Sequence, residues 1–547
     1  MSKSKFVLVF LLFISSFKIV ADENLKEMIR VYLENKPMGE RYQIDKSKLF
    51  SSVLLPKFYG DRVFSSAWIQ NGKLNSQALQ VMKFIREIHT HGFTPNDYHL
   101  KALEFYAIKF RTPIPLNLRD LLHIEVLLTD ACLLLGSHLY FGKVDIEKAV
   151  ADWHIQRKDP DLKIDERLAK SLESNLVLSY FEGLMPQFDA YKALVAHLSF
   201  WLNESDAHWK ELKTDKAIRP NEKHVLIETI RKKLCYLEYP CNDTLSDVYS
   251  PDLVPSILLF QEDNGFNKDS VIGKNFLSIL SLKPSERIKT LRVNLERLRW
   301  LPSDFPEKYI IVNIANQQLD FIGNNDTLLS CRAIIGKTYR TTPVFSARMT
   351  YLVFSPTWTV PPGILAADVI PQLKKGPEYL QKNKMRILKM NGTEVEYNAI
   401  DWKKVSANRF PYLIKQDPGP HNSLGLVKFM FPNTYNVYIH DTPNRSLFLK
   451  DDRAQSSGCI RIEKPFDLAR LLLSGTGRWN DSTIYEAMHA GRERTVSLPS
   501  PLPVFVVYLT AWTQTNGKLA FRKDIYQRDD EIFIALNEKP IAYWKDK

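Results

Sequence analysis

A chain of 547 residues in which 45% are hydrophobic and 12% aromatic can bury several cores, which excludes a disordered or low-complexity protein. At roughly 100 to 200 residues per domain, the length points to about three to five structural units. The formal net charge of +12 favours acidic partners, but no zinc-finger, helix-turn-helix or RNA-binding signature accompanies it, which speaks against nucleic acid.

The first 21 residues have the layout of an export signal: Lys3 and Lys5, an apolar run from Phe6 to Phe17, and Ala21 as the cleavage point in "KIVADE". The run is short for a bilayer span, and an uncleaved inner-membrane anchor is the alternative. Cleavage removes three lysines and no acid, so the mature protein stays basic. For an exported protein the nearest acidic polymer is the cell wall, whose peptide stems carry free carboxylates. The five cysteines, Cys132, Cys235, Cys241, Cys331 and Cys459, are an odd and scattered set. Only Cys235 and Cys241 lie close enough in sequence to suggest a local disulfide, which leaves Cys459 as a candidate free thiol. Without CxxC, HExxH or an acidic calcium loop, the expected chemistry uses no metal and no other cofactor.

Residues 22–245 are expected to form a helical scaffold. "SQALQVMKFIREIHTHG" and "RDLLHIEVLLTDACLLLGSHLYFGKVD" repeat apolar residues at three and four. The second stretch is apolar enough to raise the membrane question, but Glu125 and Asp130 within it favour a buried helix of a soluble domain, with His123 and His138 in packing roles. "NESDAHWKELKTDKAIRPNEKH" reads as a connection or peripheral insertion.

Residues 246–300 change texture to short helices around a glycine-containing turn. Phe260, Gln261, Gly265, Asp269, Val271, Ile272 and Gly273 resemble the pattern of the peptidoglycan-binding domain family, a small three-helix module; Ser270 stands where that family often has glycine. The resemblance implies contact with glycan strands through residues 251–298, or a scaffold that grips none.

Residues 301–547 read as strands, so the fold class is multidomain α+β with a mainly antiparallel β catalytic domain. "YIIVNIANQQLDFIG" alternates around a polar turn, and "LLSCRAIIG", "TYLVFSPTWTVPP" and "VKFMFPNTYNVYIHD" follow. The stretch 363–424 interrupts the pattern; insertions of this length are often lids. "EKPFDLARLLL" is helical with Pro465 in its first turn. The C-terminal "LPVFVVYLTAWTQTNGKLAFRKDIYQRD" reads as a hairpin through Asn516 and Gly517 that completes the sheet.

The chemistry centres on "HDTPNRSLFLKDDRAQSSGCIRI". A thiol attacks carbonyls as thiolate and needs a base or cation nearby. "VYIH" is a strand end, "DTPN" a turn, and the return brings Cys459 alongside His440. Gly458 lets the backbone turn tightly, so that the amides of Gly458 and Cys459 point at one developing oxyanion. Tyr438 shares a strand face with His440, whereas Asp441 faces the other way, so a backbone carbonyl is the expected partner of the imidazole. Arg461 suits a stem carboxylate or a surface salt bridge. Ser456 and Ser457 suit substrate amides or turn formation, and Trp358 suits the donor groove or core packing.

"IHDTPN" followed by "SSGCIRI" resembles the active-site signature of the L,D-transpeptidase (YkuD-like) catalytic domain. The order of scaffold, wall-binding module and catalytic domain, with "WTVPP" and "PGPHNSLG" ahead of the signature, resembles the large periplasmic YcbB-type enzymes of Gram-negative bacteria. Most of the wider family has serine-histidine-glycine-cysteine; Ser457 replaces that histidine here, which leaves His440 as the base candidate. The resemblance implies that Cys459 attacks the diaminopimelate carbonyl of a donor tetrapeptide stem and expels D-alanine. A diaminopimelate amine of a second stem then captures the thioester as a 3-3 crosslink. It also implies a tyrosine, here Tyr438, facing the oxyanion, acylation of Cys459 by carbapenem-type inhibitors, and a periplasmic location. Water, a free D-amino acid or a lipoprotein lysine as acceptor, and a wall-binding protein without catalysis, are the competing readings.

Overall fold

In the computed structural model, which describes residues 22–35, 40–110, 116–150, 152–156, 158–406, 409–514 and 516–540, the most apolar segment becomes helix α1, Leu118–Phe141. The export signal expected over 1–21 lies outside the described residues. Helix α1 is long and apolar enough to cross a membrane, but 89% of its most apolar window is enclosed by its own domain. A helix apolar on all sides must be buried on all sides, and the surrounding helices do this. Its two buried carboxylates have partners, as buried charges need. Glu125 accepts from the Trp68 amide (3.1 Å) and the Tyr59 hydroxyl (3.0 Å), and Asp130 meets His99 Nε2 at 2.7 Å. His123 and His138 face the hydroxyls of Tyr106 and Tyr98, the packing roles expected of them.

A second core runs from Leu212 to Leu280 and is built on the helices Ile227–Tyr236, Val254–Asp263 and Lys274–Leu280. The segment expected to be a mere connection contributes to this region: Leu212 and Ile218 are buried in it, and Ile218 bridges to Ile272. Its charged residues mask two apolar anchors spaced too widely to show a period. Gln261 holds the turn, donating to Asp269 and to the Val271 carbonyl while accepting from the Ser270 amide. Ser270 adopts φ +58°, the left-handed conformation that glycine takes without penalty. Cys235 and Cys241 are disulfide-bonded. Closing so short a loop in the unfolded chain is worth about 2 kcal/mol; replacing both cysteines by alanine should lower urea-unfolding stability by that amount without changing the catalytic rate.

Helix α2, Pro284–Arg299, leaves this module and packs into the largest core, which combines scaffold and sheet residues. Several buried charges are tolerated there because they are paired. Arg297 meets Asp529 (2.6 Å), Arg299 meets Glu296 (2.8 Å), and Glu296 accepts from the Val144 amide (2.7 Å).

The sheet uses β1 Lys308–Asn313, β2 Gln318–Gly323, β3 Asp326–Gly336, β4 Val344–Phe354, β5 Trp358–Thr359, β6 Met385–Leu388, β7 Leu413–Gln416, β8 Val427–Met430, β9 Ile439–His440, β10 Ala454–Ser456, β11 Ile460–Ile462 and β12 Arg494–Val507. The main order is β8-β9-β11-β3-β2-β1-β12-β4, and β8 also pairs with β4, so the sheet closes on itself. Closure removes free edges. The two-residue strand Trp153–His154 of the helical region adds to β4 in parallel.

The sheet is mainly antiparallel, as expected, with β9–β11, β10–β3 and β12–β1 parallel; a parallel neighbour needs a long crossover, which residues 441–459 provide between β9 and β11. One expectation is corrected. The hairpin at Asn516–Gly517 forms, between Ala511–Thr513 and Leu519–Phe521, but stands apart from the main sheet. The strand that completes the sheet is β12, whose unbroken apolar end "VFVV" marks a strand covered on both faces. Strands β5, β7 and β6 form a separate three-stranded sheet that joins the inserted segment to the residues just ahead of it, over a small core of Val360, Leu373, Ile387, Trp402 and Ile414.

Candidate active site

Strands β9 and β11 lie side by side with Ile439 opposite Ile460 and His440 opposite Arg461, and the Ile460 amide donates to the Tyr438 carbonyl at 3.1 Å. This register sets Cys459 beside Tyr438 and places His440 one step further along. Tyr438 and His440 share a face, their rings 5.5 Å apart. The Tyr438 hydroxyl lies against both the Cys459 thiol and the Trp358 side chain. Cys459, His440, Tyr438, Arg461 and Trp358 are therefore brought together.

Ser456 and Gly458 shape the turn that carries Cys459. Ser456 is 2% exposed, and its hydroxyl accepts from the Gly458 amide (3.1 Å) and donates to the Cys459 carbonyl (2.6 Å). Two expectations change here. Ser456 is a turn residue rather than a substrate contact, because a short hydroxyl side chain readily bonds the backbone two or three residues on. The Gly458 amide, expected to face an oxyanion, is held by Ser456; the glycine instead supplies φ +117°, a conformation other residues avoid. Ser457 is exposed, and its hydroxyl accepts from Arg340 at 3.0 Å.

A second turn, "GKTYRTTP" between β3 and β4, supports the first. The Lys337 amide donates to the Ser456 carbonyl (3.1 Å), and the fully buried Thr342 hydroxyl donates to the Gly458 carbonyl (2.8 Å). The Tyr526 hydroxyl donates to the Gly336 carbonyl (2.6 Å) and receives the Thr342 amide (3.2 Å). Sequence reasoning missed these three residues. The Gly-Lys and Thr-Thr-Pro pairs mark a turn, but nothing local says what that turn touches.

The electrostatics leave both partners neutral at rest. Burial raises the Cys459 thiol above its ordinary range, against smaller opposing effects of Tyr438 and Arg461. Burial, then the Arg461 charge, lowers His440 to about 3, against the opposing carbonyls of Asp441 and Leu424. His440 Nδ1 sits 2.6 Å from the Asp441 carbonyl oxygen, the backbone partner expected for it. With the proton on Nδ1, Nε2 keeps the lone pair. The thiol points to the Asn436 carbonyl at 3.7 Å and to Tyr438. Among the described residues, sulfur and imidazole are not hydrogen-bonded to each other in this conformation. Catalytic hydrogen bonds often tighten only when substrate binds. Arg461 Nε has no hydrogen-bond partner and is buried, which suits a group awaiting an anion better than a surface salt bridge.

The Asp441 carboxylate faces away, as alternation requires. It accepts from the Leu426 amide (2.8 Å) and pairs with Arg445 (3.2 Å). The inserted segment is thereby tied down at its end, where the Ser355 amide also donates to the Leu426 carbonyl (2.9 Å) and the Asn422 side chain to the Pro356 carbonyl (3.0 Å). Gly425 has φ +62°, and a Cβ there would lie 2.4 Å from the Asp441 carboxylate. Gly425→Ala should cost about 1 to 3 kcal/mol of stability in urea titration, and slow acylation by moving Leu424 off the imidazole.

Residues 307–485 match the L,D-transpeptidase catalytic domain and residues 53–198 the scaffold domain. A curated protein of Haemophilus influenzae named "Putative L,D-transpeptidase" is 36% identical over 253 residues, 46% of this chain and 50% of that protein. The chain thus spans half the length of this curated relative. A crystal structure of an L,D-transpeptidase from Xylanimonas cellulosilytica aligns over its full length with 54% of this chain, at 12% identity and a TM-score of 0.18. A fused Zn-dependent amidase/peptidase/peptidoglycan-binding protein from Clostridium acetobutylicum does so at 11% and 0.15. The match to the YkuD L,D-transpeptidase catalytic domain thus falls within the β-rich region, over residues 307–485, and the match to the scaffold domain within the helical region.

Proposed function

We propose that the protein is a cysteine-dependent L,D-transpeptidase acting on peptidoglycan in the periplasm after removal of its export signal. One observation carries this reading: a half-buried thiol on a turn built by Ser456 and Gly458, set beside Tyr438, His440 and Arg461 within a domain of that family. Substrate binding brings the thiol within reach of His440 Nε2, which takes its proton as sulfur attacks the diaminopimelate carbonyl of a donor stem. The oxyanion forms beside the Tyr438 hydroxyl, and Arg461 receives a stem carboxylate. His440 returns the proton to the departing D-alanine amine, leaving a thioester on Cys459. A diaminopimelate side-chain amine of a second stem attacks the thioester, the C–S bond breaks, sulfur regains a proton, and a 3-3 crosslink remains. The inserted segment 363–424 acts as a lid that keeps water from the thioester. Mass spectrometry of muropeptides from expressing cells tests this: 3-3 dimers should appear with the wild type and be absent with Cys459→Ala. Tetrapeptide loss without dimers would reassign the acceptor to water, and D-amino-acid-exchanged stems to a free amine.

A further inference from the structure

Arg340 stands outside the chemistry above yet joins the inserted segment to the turn that carries Cys459. Its Nη1 lies 2.5 Å from Asp368 Oδ2 and 3.0 Å from Ser457 Oγ, and its Nη2 lies 3.1 Å from Asp368 Oδ1. Asp368 belongs to the inserted segment, in the helical turn Leu365–Val369, whereas Ser457 is two residues before Cys459 in the nucleophile's turn. The base of the arginine is fixed. Its amide donates to the Lys337 carbonyl (2.9 Å), and flanking Lys337 and Thr342 are bonded to the nucleophile's turn. A planar guanidinium can hold a carboxylate with two nitrogens and still reach a hydroxyl; an ammonium point charge cannot span both. The pair is nevertheless openable, because the Arg340 and Asp368 side chains are 25% and 45% exposed. The segment's last residue, Leu424, also touches the site through its carbonyl at His440, and Trp358, just ahead of the segment, lies at Tyr438.

We propose that Arg340 is a positioning residue that latches the inserted segment over Cys459 and, by the same fork, orients the nucleophile's turn. The proposal rests on the reading of residues 363–424 as a lid over a donor-stem site. Closure shields the thiol and narrows the space available to the donor; opening releases Asp368 first, because the Ser457 contact lies within the body of the domain.

The test uses alkylation of the full-length protein by iodoacetamide, followed by intact mass. Cys132 and Cys331 are buried and Cys235 is bonded to Cys241, so the adduct reports Cys459. Asp368→Asn and Arg340→Ala should each raise the alkylation rate about threefold to tenfold, the effect of losing a partly exposed bidentate pair. Both should raise KM for a donor stem more than they lower kcat, and Arg340→Lys should fall between wild type and Arg340→Ala. Unchanged alkylation and KM in both variants would overturn the latch, as would a fall in kcat and melting temperature with KM unmoved. If the wild type makes no crosslinks yet the variants still alkylate faster, the transpeptidase reading fails and the latch stands.

Discussion

Cys459→Ala is expected to abolish covalent modification by a carbapenem and formation of 3-3 dimers, with turnover falling by on the order of 10⁴- to 10⁶-fold, as when a catalytic nucleophile is removed. The fold should survive. The thiol's contacts are a weak one to the Asn436 carbonyl at 3.7 Å and the Tyr438 hydroxyl, whereas the turn is held by Ser456, Lys337 and Thr342 through backbone atoms that alanine keeps. Thermal unfolding should therefore shift by less than about 1 kcal/mol. Intact mass spectrometry after carbapenem treatment decides the matter: an adduct on the alanine variant would place the nucleophile elsewhere. Cys132 and Cys331 are poor substitutes, since burial raises both thiols and denies them reagent.

The second large effect concerns pH. His440, lowered to about 3 by burial and Arg461, is a neutral base throughout the physiological range, and the Cys459 thiol, raised by burial, stays protonated there. In the proposed mechanism the acting form is thus thiol plus imidazole, present from about pH 3 upward, and protonation of the ring should not cut the rate between pH 5 and 8. Carbapenem acylation, which involves no acceptor amine, should be level over that range and rise only as the thiol begins to ionise. His440→Gln should lower the level rate by roughly 10²- to 10⁴-fold. What remains should climb about tenfold per pH unit, because the thiol must then lose its proton to hydroxide. An acid limb near pH 6.5 in the wild type, the position of an unperturbed imidazole, or an unchanged profile in His440→Gln, would refute the assignment of His440 as the base.

Much of the local structure was legible because it follows from short-range rules. The turn between β1 and β2, Pro465 at the start of helix Pro465–Leu473 and the bend at Asn516–Gly517 all lie where alternation, helix periodicity and turn chemistry place them. The shared face of Tyr438 and His440, and the Asp441 carboxylate turned the other way, follow from the twofold repeat of a strand. The same rules misled where a side chain had two uses. Ser456 can bond substrate or its own turn, and only its burial against the Cys459 carbonyl decides for the turn.

The sequence by itself determined which groups are candidates for chemistry and which local shapes hold them: a cysteine after Ser-Ser-Gly, a histidine at a strand end, and a tyrosine two residues before it. Residue type and near-neighbour spacing are properties of a short segment, and a short segment has few conformations to choose from. The tertiary structure alone decided that β9 and β11 run parallel, that "GKTYRTTP" cradles the nucleophile, and that Arg340 reaches both Ser457 and Asp368. It also decided that the imidazole and thiol stay neutral, since burial in the folded domain shifts both. Such contacts depend on which apolar faces find each other once the sheet closes, and no window along the chain contains that information.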